Sequence, residues 1–97
     1  MKGFIYELRN NNCNETYIGS TKNIQQRIRQ HRYNSTKGKE SKRLLYRIIR
    51  EMGGYDDWEF NVLEEIECNN REELFAYEKL MIAQLKPSLN INHYLEN

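Results

Sequence analysis

Residues 3–20 read Gly-Phe-Ile-Tyr-Glu-Leu-Arg-Asn-Asn-Asn-Cys-Asn-Glu-Thr-Tyr-Ile-Gly-Ser, and the architecture of the chain can be worked out from here. Over the first seven of these residues, aromatic and leucine side chains occupy every second position, which is typical of a half-buried strand. Residues 15–20 are aromatic and β-branched at their centre, as in a second strand. Four asparagines lie between the two segments, and asparagine tolerates the left-handed backbone of tight turns. The stretch therefore predicts a β-hairpin.

After the hairpin, apolar residues recur every three or four positions, as on one face of a helix. Ile24, Ile28 and either His31 or Arg32 form the stripe of a first helix, which the Lys-Gly-Lys sequence at 37–39 interrupts. A second helix ends at a glycine pair, since glycine permits the left-handed cap. The apolar face of this second helix consists of Leu44, Leu45, Ile48, Ile49 and Met52.

A third strand and a third helix complete the predicted order ββααβα. Residues 58–66 alternate as a strand does, and Asn70 lies three residues before Glu73, as in a capping box that opens a helix. Pro87 stops this helix, and residues 90–92 are expected to continue as a short ordered tail. The predicted fold is α+β, with a small, mainly antiparallel three-stranded sheet flanked by three helices.

Composition excludes several classes of protein. The 97 residues, 38% of them hydrophobic, suffice for one domain (residues 1–97) with a core of its own. No apolar run approaches the roughly 18 residues of a membrane span, and no basic region followed by an apolar stretch opens the chain. Cys13 and Cys68 form no Cys-x-x-Cys pair, and neither His31 nor His93 completes zinc-ligand spacing. We therefore expect an intracellular protein with reduced thiols, no membrane association and no structural zinc.

The net charge of +1 conceals a strong separation of charge along the chain. Residues 22–50 contain ten basic residues and one acidic residue, a formal charge of +9, whereas residues 1–21 are neutral and residues 51–97 carry −8. Such a basic segment indicates a polyanionic partner, with nucleic acid as the first candidate. The alternative is a pair of solvated helices that balance an acidic surface.

Glu78 is the most unusual residue of the predicted third helix. Its spacing from Leu74 and Leu85 directs its carboxylate along the apolar face of the helix. A buried carboxylate is costly unless it is paired, so we expect a partner. The partner is either an arginine of the basic segment or a hard divalent cation, and a role as general acid or base is a third possibility.

Four further residues combine reactive chemistry with suggestive spacing. Arg27 and His31 lie four positions apart, so a phosphate-binding guanidinium and an imidazole share one face of the first helix. Tyr6 and Tyr17 lie on the neighbouring strands of the hairpin, where tyrosines most often serve packing. Each feature alone is ordinary, and Gly19 could likewise simply end its strand.

Together, these positions resemble the signature of the GIY-YIG nuclease superfamily. Its namesake motif is similar to Gly3-Phe4-Ile5-Tyr6 followed by Tyr17-Ile18-Gly19. The pattern Arg27-Ile-Arg-Gln-His31 follows on the first helix, and Glu78 begins the sequence Glu-Lys-Leu-Met-Ile on the last. The sequence Lys-Pro-Ser-Leu-Asn at 86–90 closes the match, so the resemblance covers nearly the whole chain.

Two positions depart from the pattern of this family. Phe4 stands beside Ile5, so that Gly3 comes one place early, although the strand still delivers Tyr6. Glu40 falls where homing-type members often place a second histidine. The histidine of the first helix would therefore lack that partner.

The resemblance implies a metal-dependent endonuclease that hydrolyses DNA phosphodiester bonds. One divalent cation, Mg²⁺ or in its place Mn²⁺, would bind Glu78 and contact the scissile phosphate, while Arg27 would neutralise a non-bridging oxygen. Tyr6 would activate water as a base or proton relay, which requires that Arg27 and the cation lower its pKa from about 10. Tyr17 would hydrogen-bond beside Tyr6, and His31 would assist proton transfer.

Further residues would support this site and bind the substrate. Asn90 would orient the site, and Gly19 would let the backbone approach closely. The sequence shows no separate recognition module, so the domain would be weakly specific, dimeric or targeted by a partner protein. Five basic residues would contact DNA phosphates, which sets affinity without reading bases: Lys37, Lys39, Lys42, Arg43 and Arg47.

Two other functions are compatible with the composition. A non-catalytic nucleic-acid-binding module could keep the same fold and basic face, and a protein-interaction domain could pair acidic and basic halves between copies. The nuclease is favoured because six residues of the family pattern occur together: Tyr6, Tyr17, Arg27, His31, Glu78 and Asn90.

Overall fold

The structure, a computed structural model, describes residues 1–90 of the chain. Its strands and helices are β1 (Lys2–Asn10), β2 (Thr16–Thr21), α1 (Ile24–Asn34), α2 (Leu44–Glu51), β3 (Trp58–Glu67) and α3 (Arg71–Leu85). The predicted α+β fold and element order are confirmed. The expected tail at residues 91–92 lies outside the described residues. None of the helices between residues 1 and 90 has the length and apolar character of a transmembrane segment.

β1 lies at the centre of one antiparallel sheet with the strand order β2-β1-β3. Tyr6 of β1 pairs with Gly19 of β2. The pairing with β3 slips by one residue between Ile5 and Tyr6, which leaves Leu63 of β3 without an opposite residue. This β-bulge increases the local twist of the sheet beside Tyr6.

Helices cover the sheet on both sides, so both faces of β1 are buried. Ile5 and Tyr6 point to opposite faces, and neither side chain is exposed to solvent. Tyr6 belongs to a core cluster with Leu8, Leu45, Tyr46, Ile49, Trp58 and Leu89. Ile5 belongs to a second cluster with Ile18, Cys68, Leu74 and Ile82. The strand that carries Tyr6 is therefore held between two cores.

Gly3 allows α3 to approach β1 closely. A Cβ atom at this position would lie 2.6 Å from Leu74 Cδ1, which is closer than carbon atoms approach without a shift. The glycine that comes one place early in the sequence motif therefore has a packing role in this chain.

Asparagines and glycines mark the ends of the helices. Asn23 and Asn70 each accept a hydrogen bond from the backbone N–H three residues later, at 3.0 and 2.9 Å, as N-cap residues do. Gly38 and Gly54 have φ values of 79° and 87°, which glycine adopts at little cost. Each precedes a short 3₁₀ turn that the apolar pattern did not predict, namely Lys39–Lys42 and Tyr55–Asp57.

Candidate active site

The side chain of Tyr6 extends from the central strand and meets His31 of α1. Tyr6 Oη and His31 Nε2 share a hydrogen bond of 2.7 Å. The Tyr6 ring stacks on Phe60 of β3, with ring centroids 4.3 Å apart. Both Tyr6 and His31 are buried. β1 and α1 therefore bring two of the predicted site residues into direct contact.

The other ring nitrogen of His31 is hydrogen-bonded as well. Nδ1 lies 2.9 Å from Tyr46 Oη of α2, and Asn34 Nδ2 donates to the same oxygen at 3.4 Å. Glu40, at the position where homing-type members often have a second histidine, is exposed and lies 3.4 Å from the Arg43 guanidinium. His31 therefore has a second partner, but α2 supplies it rather than position 40.

Burial governs the protonation of Tyr6 and His31. Removal from water, with the positive charges of Arg27 and Arg43, lowers the pKa of His31 to about 3, so the imidazole is neutral near pH 7. Burial raises the pKa of Tyr6, Tyr17 raises it further, and Arg27 acts in the opposite direction. The protein groups alone therefore do not lower the pKa of Tyr6, because desolvation outweighs the Arg27 guanidinium.

Tyr17 approaches the same imidazole from β2. Its ring lies edge-on to His31, with centroids 6.1 Å apart. Arg43 hydrogen-bonds to the Tyr17 hydroxyl and partly offsets the rise in the Tyr17 pKa that burial causes. Arg43, predicted to contact a DNA phosphate, thus lies beside a tyrosine–histidine cluster that consists of Tyr6, Tyr17, His31 and Tyr46.

Because Gly19 has no side chain, the Tyr6 hydroxyl can occupy the space beside it. A Cβ atom at Gly19 would overlap Tyr6 Oη and would lie 2.6 Å from Tyr6 Cζ. Gly19 is not among the glycines with a positive φ value. The need for glycine at this position is therefore steric.

Asn90 acts on the outer edge of β2, the edge that faces away from β1. Its Oδ1 accepts a hydrogen bond from the Ile18 N–H at 2.6 Å, and its Nδ2 donates to the Ile18 carbonyl at 2.8 Å. Ser88 Oγ accepts from the Thr16 N–H at 3.1 Å. These side chains occupy the strand edge as a neighbouring strand would. Asn90 thereby fixes the strand that carries two other predicted site residues.

Glu78 and Arg27 line a cavity of about 530 Å³ between the end of β2, the first half of α1, and α3. Ser20 Oγ donates a hydrogen bond to Glu78 Oε1 at 2.6 Å. No ion pair among residues 1–90 includes Glu78, so a serine rather than an arginine is the partner of this carboxylate. Burial raises the pKa of Glu78, and the Ser20 hydrogen bond and the charge of Arg27 oppose this rise.

Arg27 links the cavity to the tyrosine–histidine cluster. Its positive charge lowers the pKa of Tyr6 and of Glu78 and disfavours protonation of His31. Tyr6 and His31 do not themselves line the cavity. The cavity and the tyrosine–histidine cluster are therefore two adjoining groups of residues, and the positive charge of Arg27 acts on both.

Glu78 is the carboxylate in the cavity lining that could bind a cation. Residues 1–90 contain no cluster of three or more His, Cys, Asp or Glu side chains that could hold a metal ion. The arrangement nonetheless fits Mg²⁺, which usually keeps several waters and binds one or two carboxylates together with substrate phosphates. It does not fit a cation that needs a full set of protein ligands.

The remaining predicted DNA contacts lie around the connection between α1 and α2. Arg50 braces this connection, because its Nη1 donates to the carbonyls of Ser35 and Ser41 at 2.9 and 2.8 Å. The cavity borders the other end of α1. Four basic side chains near the connection are exposed: Lys37, Lys39, Lys42 and Arg47.

Two residues of the site escaped the sequence analysis. Tyr46 lies on the buried face of α2 with Leu45 and Ile49, so its helical position was the available signal. Ser20 pairs with Ile5, whose side chain belongs to the core beneath α3. The alternation of β2 therefore indicated that the Ser20 side chain points toward α3.

Comparisons with known proteins indicate the family and the fold of the chain. Residues 2–94 match the family model of the GIY-YIG catalytic domain. The solved catalytic domain of intron endonuclease I-TevI, in a glutamate-to-alanine variant, is similar with a TM-score of 0.73 and 29% sequence identity. The match covers 89% of this chain and 86% of that one. No curated protein sequence matches.

Proposed function

The chain belongs to the GIY-YIG family and is a phosphodiester-hydrolysing endonuclease, and we propose that it cuts DNA with a divalent cation bound at Glu78. One observation carries the proposal: Arg27 and Glu78 line the same cavity, and the Arg27 charge also acts on the buried Tyr6–His31 pair. A phosphate in this cavity would meet a guanidinium and a metal-binding carboxylate, with a pair of proton-transferring residues close by.

GIY-YIG nucleases generally depend on a divalent metal, and we assign the metal position in this chain to Glu78, with Mg²⁺ or Mn²⁺ as the ion. When bound, such a cation supplies positive charge that stabilises the charge developing on the phosphate and on the leaving oxygen. Ser20 holds the Glu78 carboxylate through the 2.6 Å hydrogen bond. Arg27 would grip a non-bridging phosphate oxygen, since a guanidinium forms parallel hydrogen bonds with phosphate.

We assign proton transfer to the tyrosine–histidine cluster. Because burial keeps Tyr6 protonated, this residue would pass a proton on during the reaction rather than exist as a tyrosinate beforehand. His31 is neutral and lies 2.7 Å from the Tyr6 hydroxyl, so it can hydrogen-bond to Tyr6 Oη while the proton moves. Tyr17, held by Arg43, provides a second hydroxyl beside the same imidazole.

DNA would be held at the connection between α1 and α2. Contacts from exposed lysine and arginine side chains to phosphates set affinity and position on the duplex but carry no sequence information. The choice of cleavage site would then require contacts other than these. The residues proposed for these contacts are Lys37, Lys39, Lys42 and Arg47.

The proposed function is tested by incubating the protein with plasmid and branched DNA in Mg²⁺, in Mn²⁺ and in EDTA. We expect cleavage with either ion and none with EDTA. Glu78→Ala should lower the single-turnover rate by about 10²-fold or more and leave DNA affinity unchanged, because the exposed basic residues are untouched. Glu72→Ala is the matched control, since Glu72 is an exposed carboxylate in the first turn of the same helix.

Two results would count against this assignment. A folded Glu78→Ala protein that cleaves at the full rate would refute the metal position. A wild-type protein that binds DNA but cleaves it with neither ion would be a non-catalytic nucleic-acid-binding module.

A further inference from the structure

His31 is buried between two hydroxyl groups, one on each ring nitrogen. Nε2 lies 2.7 Å from Tyr6 Oη, and Nδ1 lies 2.9 Å from Tyr46 Oη. A neutral imidazole has one N–H donor and one acceptor nitrogen. One tyrosine must therefore donate to the ring while the other accepts from it.

The surroundings of His31 keep the ring neutral. Arg27 of α1 and Arg43 of α2 both disfavour a second proton, and together with burial they lower the pKa of His31 to about 3. The acidic groups that act on the tyrosines of the cluster are Glu78 of α3 and Glu40 in the connection between α1 and α2. The division into one donating and one accepting tyrosine therefore holds throughout the neutral pH range.

Asn34 determines which tyrosine donates. Its Nδ2 donates to Tyr46 Oη at 3.4 Å, and an amide nitrogen does not accept hydrogen bonds. Within residues 1–90, the other hydrogen-bond partner of Tyr46 Oη is His31 Nδ1, so the Tyr46 proton points to Nδ1. The ring proton then resides on Nε2, which donates to Tyr6 Oη.

We propose that Tyr46, with Asn34 behind it, is a positioning residue that fixes His31 in the Nε2-protonated tautomer and so aims an N–H donor at the Tyr6 hydroxyl oxygen. The hydrogen bond made by one ring nitrogen sets the tautomer of the whole ring. The Tyr6 proton is then free to point away from His31. In cleavage that proton would pass to an oxygen of the phosphate, and the Nε2–H group would stabilise the negative charge on Tyr6 Oη until this oxygen atom takes up the proton of the attacking water. This role in cleavage rests on the proposed function, whereas the tautomer does not.

Nitrogen-15 NMR of the full chain measures the tautomer without DNA or metal. The chain has two histidines, so the spectrum of His31→Gln identifies the ring signals of His31. In the wild type at pH 7 we expect a protonated Nε2 and an unprotonated Nδ1. Asn34→Asp should reverse this, because a carboxylate accepts the Tyr46 proton and Tyr46 then accepts from Nδ1–H.

Tyr46→Phe tests the positioning role, since it removes the hydroxyl and keeps the ring. We expect His31 to populate both tautomers and the single-turnover rate to fall by about 10- to 100-fold, as when a group that orients a metal-binding histidine is removed. Tyr55→Phe is the matched control: Tyr55 packs against the same core, and its hydroxyl has no hydrogen-bond partner among the described residues. This control should change neither the tautomer nor the rate.

Several outcomes would overturn the proposal. One is a wild-type His31 protonated on Nδ1, and another is an Asn34→Asp protein with the wild-type tautomer. A Tyr46→Phe protein that cleaves at the wild-type rate, or that cleaves slowly with the His31 tautomer unaltered, would do the same. Failure of the wild type to cut DNA would instead refute the proposed function and leave the tautomer measurement valid.

Discussion

At the scale of single residues, the position of the Tyr6 hydroxyl depends on Gly19. The two residues pair across the hairpin, and the Tyr6 ring and hydroxyl fill the space where a side chain at Gly19 would begin. On its other side the hydroxyl is held by His31 at 2.7 Å. The glycine therefore helps to set the distance across which these two residues share a proton.

We expect Gly19→Ala to lower the free energy of unfolding by about 1–3 kcal/mol, the usual cost of overpacking. In a Tyr6→Phe background the same change should cost less, because the overlap with Oη is gone while the contact with Cζ remains. Urea unfolding of the four proteins measures both costs. Equal costs in the two backgrounds would show that Gly19 and the Tyr6 hydroxyl do not meet as described.

The buried imidazole of His31 predicts a pH dependence of stability. Its pKa is about 3 in the folded protein and about 6.5 in an unfolded chain, so the unfolded state takes up the proton first as the pH falls. The stabilisation is therefore complete above pH 6.5 and is lost by about 1.4 kcal/mol per pH unit, at most, as the pH drops toward 3.

Urea unfolding between pH 6.5 and 4.5 checks this slope, with His31→Gln as the reference. The variant should lack the contribution of the imidazole, so the difference between the two proteins should shrink as the pH falls. A constant difference over this range would contradict a buried, neutral His31.

At the scale of elements, local periodicity suffices to predict the three strands and three helices, because each of them packs with a regular repeat. The bulge at Leu63 follows instead from the register between two strands that are distant in sequence. The two 3₁₀ turns follow glycines at Gly38 and Gly54 rather than any apolar repeat. Such features depend on tertiary pairing and on single dihedral angles, which a periodic pattern does not contain.

The same limit applies to the site. The spacing of the family motif is enough to predict Tyr6 and His31 as site residues, because both belong to the family pattern. Tyr46 and Ser20 reach their partners only through the packing of α2 against α1 and of α3 against β2. The sequence around His31 or Glu78 therefore does not indicate that a hydroxyl group from another element contacts the side chain.

The connection between α1 and α2 allows DNA affinity to be separated from chemistry. Lys39→Ala combined with Lys42→Ala should weaken binding equally on different sequences and lower the slope of log K against log salt by about two units, roughly one for each lost phosphate contact. Cleavage at saturating protein should change little. Fluorescence anisotropy over a range of salt concentrations, with single-turnover assays, measures both quantities.

Arg43→Ala provides the contrast to this double variant. Because Arg43 hydrogen-bonds to Tyr17, we expect its loss to slow cleavage more than it weakens binding.

If the double lysine variant bound some sequences normally and others weakly, the lysines would be reading bases, and the proposed backbone contacts would be wrong.

At the scale of the whole molecule, the separation of charge along the sequence becomes a separation between elements. The basic segment forms α1, α2 and their connection, whereas β3 and α3 carry seven of the 14 acidic residues. Within the described residues, one ion pair joins the basic segment to residues 51–90, between Arg32 and Asp56 of the turn before β3 at 2.8 Å. A polyanion is therefore attracted to α1, α2 and their connection and repelled from the acidic elements, which orients DNA before any contact forms.

The hydrogen bonds between Asn90 and Ile18 join residues that are 72 positions apart. A ribosome releases the hairpin long before it releases residue 90, and contacts so distant in sequence form late in folding. Until then, the strand that carries Tyr17 and Gly19 has no partner at Ile18 on its outer edge. The nascent chain therefore emerges without a finished site, and the capacity to cut arises only when synthesis of the domain is nearly complete.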